Sequence, residues 1–333
     1  MSASQRPSKR FRRDADGLQD ITRSSDHWFD DGSIILQAES TQFRVGKSVL
    51  SVHSTVLRDL FSVAIPADPG WPHVEGCPVF CLHGDSAKDW KHLLDVIYPK
   101  ECFTEEKPTF DSVAAILRLS KKYDLPSFRA RSLACIKAEF PTVLTQPFID
   151  ATEWTRIRCP GDTFQANVDF LKLARELGIY SILPGAFYNL CADCGVSGNN
   201  KCAPKFFCDV FNQLSPSDQA TCLKGYAKIL HAQVNGKGSV SWLRSNEIIP
   251  SDGCSNAEKC KTAITCLAAG LTPHGLVSLF LDDWISEWGN RLCSDCTVAA
   301  KAVFIANRQQ CWNELPSYFS LPDWDQLLEM DLK

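Results

Sequence analysis

Apolar positions along the chain fall into two registers, one strand-like and one helical. Residues 33 to 38, "SIILQA", are a short, nearly continuous apolar run rich in isoleucine, which predicts a strand. Phe43 and Val45 alternate on a second strand, and residues 39 to 41 turn the chain between the two, so a hairpin is expected. Val49, Leu50, His53, Val56, Leu57, Leu60 and Phe61 then recur at helical spacing. They predict one helix face, or two short helices broken near Val52. "VFCLHGD", residues 79 to 85, reads as a third strand. Ser86 stands in N-cap position before a helix that carries Trp90, Leu93, Leu94 and Ile97 on one side and stops at Pro99. Two more helices are predicted, one over 110 to 123 with Val113, Ile116, Leu117 and Ser120 inward, and one from Pro126 to Phe140. Residues 26 to 141 therefore read as a compact α/β (α+β) unit.

Outside that unit the pattern changes. Residues 1 to 25 are polar and aperiodic, as expected of a disordered tail. Order is expected from Asp26, with turn chemistry at Asp30, Asp31 and Gly32. Residues 142 to 190 read as a helical extension with Phe164, Val168, Leu171 and Leu177 inward, Gly178 as a cap and Pro184 as a breaker. Residues 191 to 333 read as a cysteine-rich, mainly helical region. Within it, 195 to 205 is expected as a loop and 233 to 256 as an exposed connection. A helix is predicted over 275 to 292, with Leu276, Leu279, Phe280, Trp284, Ile285, Trp288 and Leu292 on its buried side. Trp312, Tyr318, Phe319 and Trp324, spaced by Pro316 and Pro322, are expected to form an irregular apolar strap docked over the C-terminal helices. The chain shows no internal repeat.

Composition narrows the function classes. The 333 residues carry a formal net charge of -4, so nothing draws the whole molecule to nucleic acid. Local charge differs: Arg6, Lys9, Arg10, Arg12 and Arg13 form a basic run that reads either as a nuclear import signal or as a solvated tail. No apolar run reaches the ~18 residues of a spanning helix, and the N-terminus shows no signal-like apolar core. A cytoplasmic or nuclear setting is expected, with the 16 cysteines reduced, either packed as small hydrophobes or bound to metal.

The N-terminal unit resembles a BTB/POZ domain. The resemblance rests on the strands at 33 to 38 and 42 to 45, then "GKSVLSVHSTVLRDLF", "PVFCLHGD", "LLDVIYP" and "AAILRLSKKYDLPSFRARSLACI". Its style is that of fungal, basidiomycete-like members, for which "WFDDGSIILQAE" is a familiar lead-in. "FLKLARELGIYSILPGAFYNLC" and "CWNELPSYFSLPDW" are similar to the C-terminal regions of such proteins. Two departures are visible. Gly46-Lys47 stands where the family carries a histidine before the lysine, and only a short polar lead precedes residue 26. The resemblance implies protein binding, homo- or hetero-oligomerisation with itself or another BTB-type chain, and adaptor duty on a cullin scaffold of a ubiquitin ligase.

Other chemistry finds little support. Gly46-Lys47-Ser48 looks like the end of a phosphate loop, but the glycine such a loop needs five residues earlier is Thr41. The histidines show no paired helical spacing, and no Gly-x-Ser-x-Gly elbow occurs. Carboxylate pairs such as Asp30/Asp31 and Asp282/Asp283 fall on expected turns or solvated faces, so no catalytic residue and no small-molecule substrate are expected. Residues 191 to 333 hold 11 of the 16 cysteines, including two C-x-x-C pairs, Cys191/Cys194 and Cys293/Cys296. Two such knuckles can make a four-thiolate zinc site. Cys202, Cys208, Cys222, Cys254, Cys260, Cys266 and Cys311 are alternative partners, and burial without metal is the competing reading. A two-zinc, six-cysteine DNA reader starting at Cys191, Cys194 and Cys202 lacks a second nearby pair and has only Lys201 and Lys205 as flanking cations.

These features point to a non-enzymatic interaction protein of BTB type. The alternatives are a nuclear transcriptional or chromatin-associated regulator that dimerises through the same domain, and a zinc- or thiol-dependent enzyme.

Overall fold

The computed structural model describes residues 20–63, 70–100, 106–144, 154–159, 161, 163–196, 211–244, 248–271 and 277–333. The chain divides into two units, residues 1–102 with 119–127, and residues 103–118 with 128–333.

The first unit is built on a five-stranded mixed sheet of order β1-β3-β2-β5-β4. Its strands are β1 (Thr22–Trp28), β2 (Ile34–Ala38), β3 (Thr41–Val45), β4 (His73–Val74) and β5 (Cys77–Cys81). β2 and β3 form the expected antiparallel hairpin, with Leu36 opposite Phe43 and Ile34 opposite Val45. β5 runs parallel to β2, pairing Val79 with Ile35, so the strand expected over 79–85 joins the sheet, but as Cys77–Cys81, and residues 82–85 turn away toward the helix that follows Ser86. β2 has neighbours on both edges and is almost wholly buried, which is why "IILQA" reads as a continuous apolar run and not as an alternation. β1 pairs in parallel with β3 from Thr22 onward. Among the described residues, regular structure thus starts four residues before the expected Asp26, on a strand whose mainly exposed, polar side chains leave no apolar signal. The basic run at 6–13 lies outside the described residues.

Two helices of this unit start on serine caps. α1 (Lys47–His53) and α2 (Thr55–Val63) are two short helices parted by Ser54, which is extended. The Ser54 hydroxyl accepts from the amide of Leu57 at 2.9 Å, an N-cap for α2. The break resets the helical phase. Leu50, Leu57 and Phe61 are buried, whereas Val56 and Leu60 face outward instead of sharing the inward face. α3 (Ala87–Ile97) opens on Ser86, whose side chain accepts from the amides of Lys88 and Asp89, and the Glu39 carboxylate accepts from Ala87 at 3.0 Å. Trp90 inserts fully and donates its indole N–H to Asp85 at 2.9 Å. Tyr123 and Lys122 also donate to the Asp85 carboxylate, so this buried acid is satisfied from residues 119–127.

The second unit is mainly helical. α4 (Phe110–Lys122) and α5 (Pro126–Glu139) run through the division of the chain, and α6 (Thr163–Leu177), α7 (Leu183–Val196) and α8 (Pro216–Val234) follow. Gly178 ends α6 at φ +74°, as expected of a helix cap. Pro184 does not break the chain. It sits in the first turn of α7, where no intrahelical amide is needed. Beyond α8 come α9 (Ala257–Leu271), α10 (Ser286–Asn290), α11 (Ser294–Tyr318) and α12 (Trp324–Met330).

Among the described residues, two separate cores lie within this unit. The larger gathers Val113, Ile136, Phe140, Phe170, Phe187, Phe280, Trp312 and Phe319, among others. The smaller holds Trp242, Leu243, Ile249, Ile264, Trp288 and Phe304, with Trp284 against it. α11 serves both, giving Cys296, Ala300 and Phe304 to the smaller core and Cys311, Trp312 and Leu315 to the larger. This sharing accounts for three departures from expectation. The described part of 275–292 is a 3-10 turn at Ser278–Phe280 followed by the short α10, because Phe280 and Leu281 turn to one core while Trp284 and Trp288 turn to the other. Residues 233–256 are not an exposed connection, since the 3-10 segment Ser239–Arg244 buries Trp242 in the smaller core. The strap from Trp312 to Tyr318 docks as expected, but as the last turns of α11. There Phe319 presses on Gly225, where a Cβ would come within 2.2 Å of the ring. Trp312 stacks on Trp324 and donates to the carbonyl of Thr142 at 3.1 Å.

Candidate functional site

Lys47, the lysine of the phosphate-loop lookalike, is engaged in the fold. Its ammonium donates to the carbonyl of Phe61 at 2.9 Å, in the last turn of α2, where a cation complements the helix dipole. Gly46 donates its amide to the Tyr98 hydroxyl at 3.2 Å. The segment is a packed strand-helix corner, as its apolar flanks imply. Next to it, Val52, Val56 and Leu60 are exposed to 80%, 42% and 36%, three aliphatic side chains on α1 and α2 that the unit leaves in water.

The chemically distinctive cluster lies in the second unit. The sulfurs of Cys254, Cys260, Cys293 and Cys296 all lie within 4.8 Å of one another. Each is placed by a local device. Cys254 follows the Asp252-Gly253 turn. Asn256 then caps α9 by accepting from the amide of Lys259 at 3.0 Å, which puts Cys260 in the first turn of that helix. Cys293 is the N-cap of α11, and Cys296 is the third residue inside it. Gly253 permits the approach of the two segments, because a Cβ there would stand 2.8 Å from the Asp295 carboxylate. Backbone amides face the sulfurs: Ser251 donates to Cys296 at 3.4 Å and Cys293 donates to Cys260 at 3.5 Å. The Cys293 and Cys254 sulfurs are 3.8 Å apart. The amide of Cys296, and after it that of Ser255, holds the Cys293 thiol down to about 6, whereas burial pushes Cys254 up to about 12. A metal ion takes the protons from such thiols on binding, and the amides directed at Cys293 favour its charged form.

The described residues place part of the zinc set expected from spacing. Cys293 and Cys296 are in the cluster. Cys191 is fully buried in the larger core, with its sulfur 3.6 Å from that of Cys222. Its side chain continues the apolar face of α7, which is the non-metal reading of "FYNLC". The side chain of Cys194 lies outside the described residues, as do Cys202 and Cys208. Spacing does not group Cys254 with Cys260, because a gap of five residues is not a knuckle on one turn. The available signal is a cysteine on each side of a helix-capping asparagine in "CSNAEKC".

Two surface depressions lie among the described residues. One is lined by Glu106, Lys107, Trp154, Ile157, Arg158 and Cys159. Burial is the main cause that pushes the Cys159 thiol up to about 12, which keeps it from acting as a thiolate near neutrality. The other, beside Glu39, Cys81, His83 and Asp85, contains an acid already committed to Trp90, Tyr123 and Lys122. No described helix is long and apolar enough to cross a membrane.

A small mixed sheet flanked by short helices is followed by a mainly helical region. The family model of the BTB/POZ domain matches residues 24–137, and this part of the chain is a BTB/POZ domain. No curated protein matches the chain.

Proposed function

We propose that the protein is a non-enzymatic adaptor that associates through its BTB/POZ domain with itself or another BTB-type chain, and presents a cullin-based ubiquitin ligase with a cargo. The observation that supports this most is the BTB/POZ match over the completed sheet and helices α1 to α5. The outward Val52, Val56 and Leu60 add apolar surface of the kind that partners cover. In this reading the cysteine-rich region contributes structure, with zinc as its cofactor, and the protein works in the cytoplasm, the nucleus or both.

Mass in solution, measured with and without a purified cullin scaffold, tests the proposal. A dimer or a stable cullin complex, weakened by Val56→Asp with Leu60→Asp while the circular dichroism is unchanged, is the expected result. A monomer that ignores both a second copy and the cullin would overturn it. The basic residues Arg6 to Arg13 favour a second reading, a nuclear regulator dimerising through the same domain. That reading requires nuclear retention and DNA association that disappear when these cations are neutralised.

A further inference from the structure

We infer that Cys254, Cys260, Cys293 and Cys296 bind one zinc ion in a closed, four-thiolate structural site that staples the smaller C-terminal core. A zinc ion with Zn–S bonds of about 2.3 Å sets its tetrahedral sulfurs about 3.8 Å apart. The Cys254 and Cys293 sulfurs already stand at 3.8 Å, and no pair in the cluster exceeds 4.8 Å. Closing onto an ion therefore takes shifts of about an ångström or less.

The donor set selects the ion. Four sulfurs, with no imidazole or carboxylate among them, make a soft tetrahedral site, which suits zinc and excludes magnesium or calcium. With all four positions filled by protein there is no open place for water or substrate, so the ion holds structure and performs no hydrolysis. Four thiolates around a divalent cation leave a net charge of minus two, and the surroundings answer it. Cys260 and the Cys293-x-x-Cys296 pair sit at the N-termini of α9 and α11, whose unpaired amides carry partial positive charge. The amides of Ser251 and Cys293 are directed at two of the sulfurs.

Neither plain burial nor disulfide bonding accounts for the cluster as well. Reduced cysteines packed as small hydrophobes need no convergence of four sulfurs and no amides turned toward them. Disulfides need a sulfur separation of about 2.05 Å, and the cysteines here are free. The site also stands where a staple is needed. The smaller core is few-membered, and its walls are the turn at 248–256, the 3-10 segment Ser239–Arg244, the short α10, α9 and the first half of α11. An ion held by the turn, by α9 and by the start of α11 ties three of its borders at one point.

The assignment stands apart from the interaction reading, since the metal content and the oligomeric state are measured independently. The full chain, purified in reductant without chelator, is assayed for metals by mass spectrometry and for zinc released on thiol modification. One zinc per chain is expected, and it should fall to near zero in Cys254→Ser, Cys260→Ser, Cys293→Ser and Cys296→Ser. Cys191→Ser with Cys222→Ser should keep the full zinc. Because loss of a ligand can also unfold the region around it, wild-type protein exchanged with cobalt gives a second readout: intense sulfur-to-metal charge transfer and tetrahedral d–d bands. Metal-free protein with all thiols reduced overturns the inference. So do iron in place of zinc, an octahedral cobalt spectrum, or zinc loss that follows Cys191→Ser with Cys194→Ser instead.

Discussion

The two units reach stability by different means. The first is a sheet-centred core in which local pattern and tertiary role agree. Its strands pair in register, its helices open on Ser54 and Ser86, and its fully buried Trp90 meets a buried acid. The second has two cores, one long helix shared between them, and many ties between residues far apart in sequence. The Glu139 carboxylate accepts from the amides of Thr155 and Ile157, and Asp331 accepts from the amide and hydroxyl of Ser181. Arg308, buried in α11, donates to the carbonyl of Leu281 at 2.9 Å and pairs with Asp283. A patterned sheet can be specified piece by piece, whereas a region of competing helices depends on specific polar and thiol contacts for its uniqueness.

Chelation is the largest available break in this comparison. Structural zinc carries about 10 kcal/mol or more of apparent binding free energy in small domains at neutral pH. Its removal should melt the smaller core, read as a red shift in emission from Trp242, Trp284 and Trp288, while the strand signal of the first unit survives. Simultaneous loss of both signals would mean that the two units do not stand apart energetically. Next in size is Trp90→Ala, which deletes a fully buried ring and should cost about 3–5 kcal/mol. Urea unfolding should show that loss in the first unit, with zinc content unchanged.

Arg308→Met is a smaller perturbation. It leaves the Leu281 carbonyl without its donor, at about 1–3 kcal/mol, and should lower the midpoint of the helical transition alone. The smallest effect is electrostatic. Hydrogen bonds and charge from Lys100 and Lys91 hold Asp26 down at about 2, against an ordinary 3.8. A depressed carboxyl stabilises the fold above its ordinary value and loses that contribution as pH falls toward about 2. Melting of Lys100→Ala against the parent should therefore converge as pH drops through this window and diverge above it. A constant difference across the window, from well above the ordinary carboxyl value down to the depressed one, would remove the ion pair as the cause.

Legibility in the sequence follows the same division. The hairpin, the helical stretch after Lys47, a strand near 79 and the Ser86 cap are readable, because each carries a local signal in the form of an apolar run, a helical repeat or a capping side chain, although Val56 and Leu60 fall outside the face that the repeat marks. β1 is not readable: it is an edge strand with mostly polar side chains, recruited by backbone pairing to β3. In the second unit, the period marks Phe280, Trp284, Ile285 and Trp288 as inward; Phe280 and Trp288 are buried and Trp284 is half-buried, but Ile285 is exposed and no single described helix runs through them. The periodicity is partly met in burial and not in conformation, since two cores pull on neighbouring residues. The thiol site is half visible. Cys293 and Cys296 share one helix start, which a sequence displays, whereas Cys254 and Cys260 meet them only after more than 30 intervening residues have folded.

The amino-acid sequence by itself determined where the hairpin lies and where most helices of the first unit begin, because each of these depends on neighbours within about one turn or one strand pair, and its segments carried the resemblance to a BTB/POZ domain. Only the tertiary structure decided which four cysteines converge, which of two cores each tryptophan enters, and which aliphatic side chains of α1 and α2 remain outside. Those outcomes depend on contacts between distant segments, and no local period encodes the distance between two sulfurs.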